Sequence, residues 1–132
     1  DELLSNGKYV YGFANDDMHI FSRAGGAYNM VLCEEKSIDS IINAIKRGSF
    51  YASFGIKLED IKVEDNIISL KNGDKRVPYV YFKFIGKNGK VLKEEKGNEA
   101  SYIVKGDEGY IRVEAYREDG ARAWLQPFLI EE

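Results

Sequence analysis

Apolar and polar residues alternate with a period of two along most of the C-terminal half of the chain. From about residue 57 onward the alternation recurs in short runs, as in YIRVEAY at 110–116. This pattern is typical of strands with one buried and one solvent-facing side. The runs are interrupted by three dipeptides that favour tight hairpin turns: Asn72-Gly73, Asn88-Gly89 and Asp119-Gly120. The region is therefore predicted to form six or seven short antiparallel strands in an immunoglobulin-like β-sandwich.

The core of this predicted sandwich is taken from the large apolar residues of the alternating runs. Aromatic and branched side chains fit strands well and usually anchor a sandwich core. We predict a core built on Phe82, Phe84, Ile103, Ile111, Val113 and Trp124. Pro127 follows Trp124 closely, and because proline has no N–H group, the last strand is predicted to contain an edge position or a bulge.

The first 55 residues follow a different pattern. KYVYGFA at 8–14 and AYNMVLC at 27–33 are short apolar runs that favour buried strands. Ser37 is a favourable N-cap for a helix predicted over 38–47, in which four isoleucines recur at helical spacing before Gly48 ends it. We expect this isoleucine stripe to pack on the two strands.

The change in periodicity predicts two parts, residues 1–55 with a small α/β pattern and residues 56–132 with a β pattern. The opening DELLSNG is typical of the last turn of a helix, with Asn6-Gly7 as its C-cap. A sequence that opens at a helix end is expected to be a piece of a longer protein.

Composition mainly excludes classes of partner. The formal net charge is −3 and the pI is near 5.3, so no electrostatic footprint for nucleic acid is present. No apolar run approaches the roughly 20 residues that span a bilayer, and the lysines are scattered among glutamates, so no membrane partner is expected. The single cysteine, Cys33, excludes an internal disulfide; with no signal peptide visible, a cytoplasmic location is expected.

Candidate chemistry is concentrated in GFANDDMHIF at 12–21. This stretch holds the only histidine, His19, close to Asp16 and Asp17. Carboxylate and imidazole groups are ligands for divalent transition metals. From spacing alone two interpretations stay open: part of a metal site, or a solvated loop in which an aspartate caps a turn.

Three motifs occur in order over nearly the whole chain: YGFANDDMH, GSFYASFG and YIRVEAYREDGARAWLQPF. Together they resemble the C-terminal end of PHP-family (polymerase and histidinol phosphatase) metal-dependent phosphoesterases. The resemblance implies that residues 1–55 are the last strands and helix of a distorted β/α barrel. It also implies that Asp17 and His19 bind a divalent metal (zinc, manganese or iron) in the full-length protein, with Asp16 supporting the ligands or capping the loop.

The other metal motifs of that family are missing from this sequence. His19 is the only histidine, so an opening His-x-His motif and a middle histidine are not available. A zinc site normally uses three protein ligands, and this chain alone is therefore expected to bind no metal tightly and to lack phosphoesterase activity.

Two functional classes follow from these motifs. The first is a phosphoesterase fragment whose partner is the upstream barrel part of the same protein. The second is a non-catalytic β-sandwich accessory module that binds substrate or protein. In either case, the N-terminal part is expected to dock on the sandwich or to self-associate by pairing its exposed strand edges with another copy.

Overall fold

The computed structural model describes residues 1–131 and is mainly β, with 41% of the chain in strands and 15% in helices. Two α-helices are present in these residues, α1 (Glu2–Ser5) and α2 (Ile38–Lys46), and short 3-10 turns lie at Phe21–Arg23 and Lys87–Gly89. The strands are β1 (Tyr28–Val31), β2 (Phe50–Phe54), β3 (Leu58–Glu64), β4 (Ile67–Asn72), β5 (Val80–Ile85), β6 (Val91–Gly97), β7 (Glu99–Ile103), β8 (Tyr110–Tyr116), β9 (Arg122–Leu125) and β10 (Phe128–Leu129).

The strands form two antiparallel sheets around a common core. The larger sheet has seven strands in the order β1-β2-β9-β8-β5-β6, with β10 also paired to β8. The smaller sheet has the order β3-β4-β7. Every ladder between named strands is antiparallel, and residues 57–131 contain no α-helix. The prediction of a mainly β, antiparallel C-terminal half is confirmed.

The predicted core is correct at four positions and wrong at two. Phe82, Phe84, Ile111 and Val113 are fully buried between the sheets. Ile103 is 67% exposed because it follows the inward-facing Tyr102 at the end of β7. Trp124 is 38% exposed because it lies between the inward-facing Ala123 and Leu125, and successive side chains of a strand point to opposite faces.

Two of the three predicted hairpin turns are confirmed. Asn88-Gly89 lies in the β5–β6 connection with both residues at positive φ, and Asp119-Gly120 lies in the β8–β9 connection. The predicted irregularity at Pro127 is also confirmed. β9 ends at Leu125, β10 begins at Phe128, and β10 pairs with β8 one residue out of register with β9.

Asn72-Gly73 does not form a hairpin. β4 ends there and the chain crosses from the smaller sheet to β5 in the larger one. The buried Asn72 amide donates hydrogen bonds to the carbonyl oxygens of Asp74 and Val77 and so holds this connection. The hairpin between β3 and β4 instead turns at Asp65 and Asn66, both left-handed with φ of 49° and 62°. Two consecutive left-handed residues are the requirement of a type I′ hairpin turn.

The helix predictions for the N-terminal half are largely confirmed. The Ser37 hydroxyl accepts a hydrogen bond from the Ser40 N–H at 3.2 Å, and Gly48 follows α2 with a φ of +74°. α1 is the expected helix end, with Gly7 also left-handed. Within residues 1–131, no helix is long and apolar enough to cross a membrane.

The packing prediction for this half is wrong in two respects. β1 forms within the predicted 27–33 run, but residues 8–14 have no regular secondary structure. Most of the isoleucine stripe of α2 faces solvent: Ile38, Ile41 and Ile42 are exposed, Ile45 is half-buried, and Ala44 is the one buried residue of the helix. Without a strand at 8–14, the stripe has nothing to cover it in the described part of the chain.

The larger sheet continues from the first half of the chain into the second. β2 pairs with β9 through Tyr51 opposite Leu125 and Ala52 opposite Trp124. β1 then forms the edge of that sheet beside β2. The segment that carries the candidate metal residues therefore lies next to the outer face of the sandwich.

Candidate functional site

Residues 9–15 lie over the outer face of the larger sheet, held by two side-chain amides. The Gly12 N–H donates to Gln126 Oε1 at 2.8 Å, and Gln126 Nε2 donates back to the Gly12 carbonyl at 2.7 Å. Asn29 makes the same reciprocal pair with Ala14, both hydrogen bonds being 2.9 Å long. Each amide replaces one residue of a neighbouring strand, so the segment is fixed without a backbone ladder.

Aromatic contacts add to this attachment. The Tyr9 hydroxyl donates to the Pro127 carbonyl at 2.9 Å, at the bulge between β9 and β10. The rings of Tyr11 and Phe13 lie 5.8 Å and 4.6 Å from the ring of Phe50. The apolar residues that predicted a strand thus hold the segment through their side chains. Partial burial raises the pKa of the Tyr9 hydroxyl to about 12, so it stays a donor at neutral pH.

Asp16 closes the loop that follows. Its carboxylate accepts hydrogen bonds from the backbone N–H groups of Ala27 and Gly25, the latter at 2.6 Å. These N–H groups, Ala27 first, lower the pKa of the Asp16 carboxyl below its usual 3.8. Asp16 is therefore committed to the backbone of the 25–27 turn and anchors one end of the loop to β1.

Asp17 and His19 lie together at the exposed tip of this loop. Asp17 adopts a left-handed conformation with φ of 47°. His19 Nδ1 lies 2.7 Å from the Asp17 carbonyl oxygen, so the ring donates there when Nδ1 carries the proton. In that tautomer Nε2 keeps its lone pair. The two side chains are 76% and 92% exposed for His19 and Asp17, and their closest approach joins Nδ1 and Oδ1 at 3.9 Å.

The donors at this tip fit a borderline divalent metal in kind but not in number. An imidazole with its second nitrogen bonded to a carbonyl is the usual state of a metal-binding histidine. The Asp17 carboxylate approaches the Nδ1 side of the ring, and its exposed side chain would have to rotate to share an ion at Nε2. Among residues 1–131 no group of three or more His, Cys, Asp or Glu side chains is placed to hold a metal ion.

A cleft adjoins the loop on the outer face of the larger sheet. Its volume is about 450 Å³, and it is lined by Gly12, Phe13, Ala14, Asn15, Ala27, Ala52, Phe54 and Trp124. The 12–15 segment forms one wall, and β2 and β9 form the floor. Phe54 lies close to the Asp16 loop, because a β-carbon placed on Gly26 would contact both the Phe54 ring and Asp16 Oδ1.

Sequence reasoning missed the residues that position the loop. Asn29 and Gln126 are single amides in apolar runs, and their partners lie 15 and 114 residues away along the chain. No spacing rule connects such pairs. The exposure of Trp124 could have been predicted. Strict alternation through ARAWL places Trp124 on one face of the strand and the two small alanines on the other.

Comparison with protein-family models, curated proteins and solved structures finds no match to this chain. The resemblance carried by the three sequence motifs therefore remains the basis for a functional proposal.

Proposed function

We propose that this chain is the C-terminal portion of a PHP-type metal-dependent phosphoesterase, with Asp17 and His19 as two of its metal ligands. In this proposal the loop segment before β1 and the helix α2 meet a β/α barrel supplied by upstream sequence, whereas β1 and β2 belong to the larger sheet of the sandwich. The sandwich is an immunoglobulin-like accessory domain. The order of the three motifs supports the assignment. The exposed isoleucine stripe of α2 supports an upstream barrel as its partner, since such a stripe is normally covered.

The observation that carries the proposal is the state of the His19 ring. The Asp17 carbonyl lies 2.7 Å from Nδ1 and selects the tautomer whose Nε2 is available to a metal. Both side chains are exposed to solvent and available to a ligand. The neighbouring Asp16, by contrast, is engaged in hydrogen bonds with the backbone of the 25–27 turn. The loop is held at both ends and presents two side chains that are free to bind a metal ion. It is therefore suited to complete a metal site together with ligands from another part of the protein.

The chemistry follows from this division of roles. A divalent zinc, manganese or iron ion lowers the pKa of bound water and neutralises phosphoryl oxygens. Asp17 and His19 would hold one side of the ion, and the remaining ligands would come from the upstream part of the protein. Asp16 fixes the loop, and the Asn29 and Gln126 amides fix the segment that leads into it.

The test is metal content and phosphoesterase turnover of the full-length protein. Asp17→Ala and His19→Ala should each lower metal affinity and turnover about 100-fold or more, because a lost ligand costs at least as much as a lost supporting hydrogen bond. Asp65→Ala is the matched control, since Asp65 is another exposed, left-handed aspartate in a tight turn. Unchanged metal content and rate in both ligand variants would refute the site.

The isolated chain provides the complementary test. Two ligands give low metal affinity, so residues 1–132 alone are expected to show no meaningful phosphoesterase activity with added zinc or manganese. Robust metal-dependent turnover by the isolated chain would refute its assignment as a fragment.

A non-catalytic accessory module is the second candidate function. It is favoured by the aromatic cleft on the sandwich. The upstream coding sequence separates the two candidates. A His-x-His motif upstream would favour the phosphoesterase. Upstream sequence without such a motif would favour the accessory module.

A further inference from the structure

We infer that the cleft between the 12–15 segment and strands β2 and β9 binds a small ligand that carries an aromatic ring and an anionic group. This inference goes beyond the proposed function, because it requires no metal ion. The cleft volume of about 450 Å³ falls within the range of small-molecule sites, roughly 300–1,000 Å³.

The ring is indicated by the side chains that line the cleft. Phe13, Phe54 and Trp124 are all exposed large aromatics, although the interior of the sandwich is only one strand layer away. Single exposed apolar residues are normal on a protein surface, whereas several converging on one concave site mark a binding site. Aromatic walls favour planar rings because offset and edge-to-face contacts add to the burial of apolar area.

Strand register creates the space for that ring. Trp124 lies directly opposite Ala52, whose methyl group leaves the floor beside the indole open. On the side of the cleft away from Trp124, the small side chains of Ala14 and Ala27 likewise leave space. A large side chain at any of these alanines would fill the cleft, so the small residues define its shape.

The anionic group is indicated by Arg122. This exposed residue is directly opposite Phe54 and two residues before Trp124, so its side chain leaves the sheet on the same face as both. Within residues 1–131 no carboxylate forms a salt bridge with its guanidinium, which lies 5.8 Å from the Tyr116 ring. A guanidinium group binds phosphate or carboxylate in a bidentate manner.

Two of the carboxylates near the cleft are already engaged. Asp16 accepts two backbone hydrogen bonds, and Glu114, opposite Trp124, is paired with Arg112. Their charges are therefore partly neutralised. Arg122 lies opposite Phe54 on the same face of the sheet, next to the cleft and outside its lining residues. The wall is also preformed, because Gln126 and Asn29 hold the 12–15 segment in place. A preformed site loses little conformational entropy on binding.

Trp124 is the single tryptophan of the chain, so its fluorescence reports directly on the cleft. The experiment titrates the 132-residue chain, in buffer with a chelator, with phenyl phosphate, benzoate, cyclohexyl phosphate and inorganic phosphate. Saturable fluorescence changes are expected with the two aromatic anions. The two compounds without an aromatic ring should bind at least about tenfold more weakly, a difference of about 1.4 kcal/mol. The ratio of phenyl phosphate to benzoate affinity identifies the preferred anion.

Variants then test each half of the site. Arg122→Gln should weaken binding of phenyl phosphate about tenfold, the scale of a lost charge-assisted hydrogen bond, while Arg122→Lys, which keeps the charge, should retain part of it. Phe54→Leu should weaken both aromatic ligands. Arg76→Gln is the matched control, because Arg76 is an exposed arginine whose guanidinium is already paired with Asp74.

The outcomes separate this inference from the phosphoesterase proposal. Equal affinity for all four compounds, no saturable change at millimolar concentration, or unaltered binding by Arg122→Gln would each overturn the aromatic-anion cleft. None of these results bears on Asp17 and His19, whose test is metal content and turnover. Loss of the metal site in that test would likewise leave the cleft standing.

Discussion

In residues 57–131 most of the large apolar side chains point into the space between two sheets, whereas in residues 8–49 many of them face solvent. Phe82, Phe84 and Ile68 are fully buried. Phe13, Phe21 and Ile38 are all more than half exposed. Both regions carry clear hydrophobic patterns. They differ in whether the described chain contains a second apolar surface on which those hydrophobic side chains can pack.

The two regions are also held together differently. The sandwich has continuous backbone ladders, such as β5 with β6 and β8. The 9–15 segment instead depends on a few side-chain hydrogen bonds from Tyr9, Asn29 and Gln126. Regions with few buried contacts open at lower free energy than the global unfolding transition. We therefore expect the N-terminal region to open locally while the sandwich stays folded.

The largest effect is expected from removing a core ring. Phe82→Ala should lower the free energy of unfolding by about 3–5 kcal/mol, because it removes a fully buried ring between two sheets. Phe21→Ala, at a residue that is 89% exposed, should change it by less than about 0.5 kcal/mol. Urea unfolding of both variants measures the contrast. Equal losses would show that the two regions do not differ as described.

A smaller and local effect is expected from the amide that holds the 9–15 segment. Gln126→Leu removes both hydrogen bonds to Gly12 and should lower the local opening free energy by about 1–2 kcal/mol, with little change in the global transition. Hydrogen exchange at the Gly12 amide measures this. Asn43→Leu makes a similar amide-to-leucine change on an exposed position of α2 and should leave Gly12 unaffected. Unchanged Gly12 exchange in Gln126→Leu would rule out the clamp.

The Asp16 loop should respond to acid. Because the pKa of Asp16 is lowered in the fold, its hydrogen bonds stabilise the loop above pH 3.8 and this contribution is lost as the pH falls below that value. The chemical shifts of the Gly25 and Ala27 amides should follow this titration. Asp16→Asn should abolish it, and Asp39→Asn on the exposed start of α2 should not. A titration that survives Asp16→Asn would assign it to another group.

The smallest effect on this chain is expected at the isoleucine stripe. Ile38→Lys should change the free energy of unfolding by less than about 0.5 kcal/mol, because the side chain is already in solvent. If upstream sequence covers the stripe as proposed, the same substitution in that longer protein should destabilise the N-terminal part strongly, since it would place a charge in a buried contact. Thermal unfolding of both forms makes the comparison. A large loss in the isolated chain would show that the stripe is packed within it.

The sequence predicts elements that depend on local pattern better than contacts that depend on distant partners. The bounds of α2 follow from Ser37, the isoleucine spacing and Gly48, all within one short stretch. The alternation in β8 correctly predicts that Ile111, Val113 and Ala115 are buried, but it places Tyr110 on the solvent-facing side, where it is in fact buried. The 8–14 run fails as a strand because a strand needs a neighbouring backbone edge, and apolar composition does not supply one.

The same limit applies to the candidate site. Asp16, Asp17 and His19 were found because they are adjacent in sequence. The separation of their roles was not predictable, because Asp16 is engaged by the Gly25 and Ala27 N–H groups and not by any residue of its own motif. Its large size favours Trp124 for the core, whereas the alternation of side chains along β9 decides which face of the sheet it occupies.

The pairing of β2 with β9 also determines when folding of the larger sheet can be completed. The β3–β4, β5–β6 and β8–β9 pairs are each joined by short turns, so they form from neighbouring chain. Tyr51 of β2 pairs with Leu125 of β9, which is synthesised much later, so this pairing cannot form until then. Contacts between residues so far apart in sequence are slow to form. During translation, β1 and β2 therefore emerge from the ribosome without their sheet, and the loop bearing Asp17 and His19 acquires its final position only after the last strands have been made.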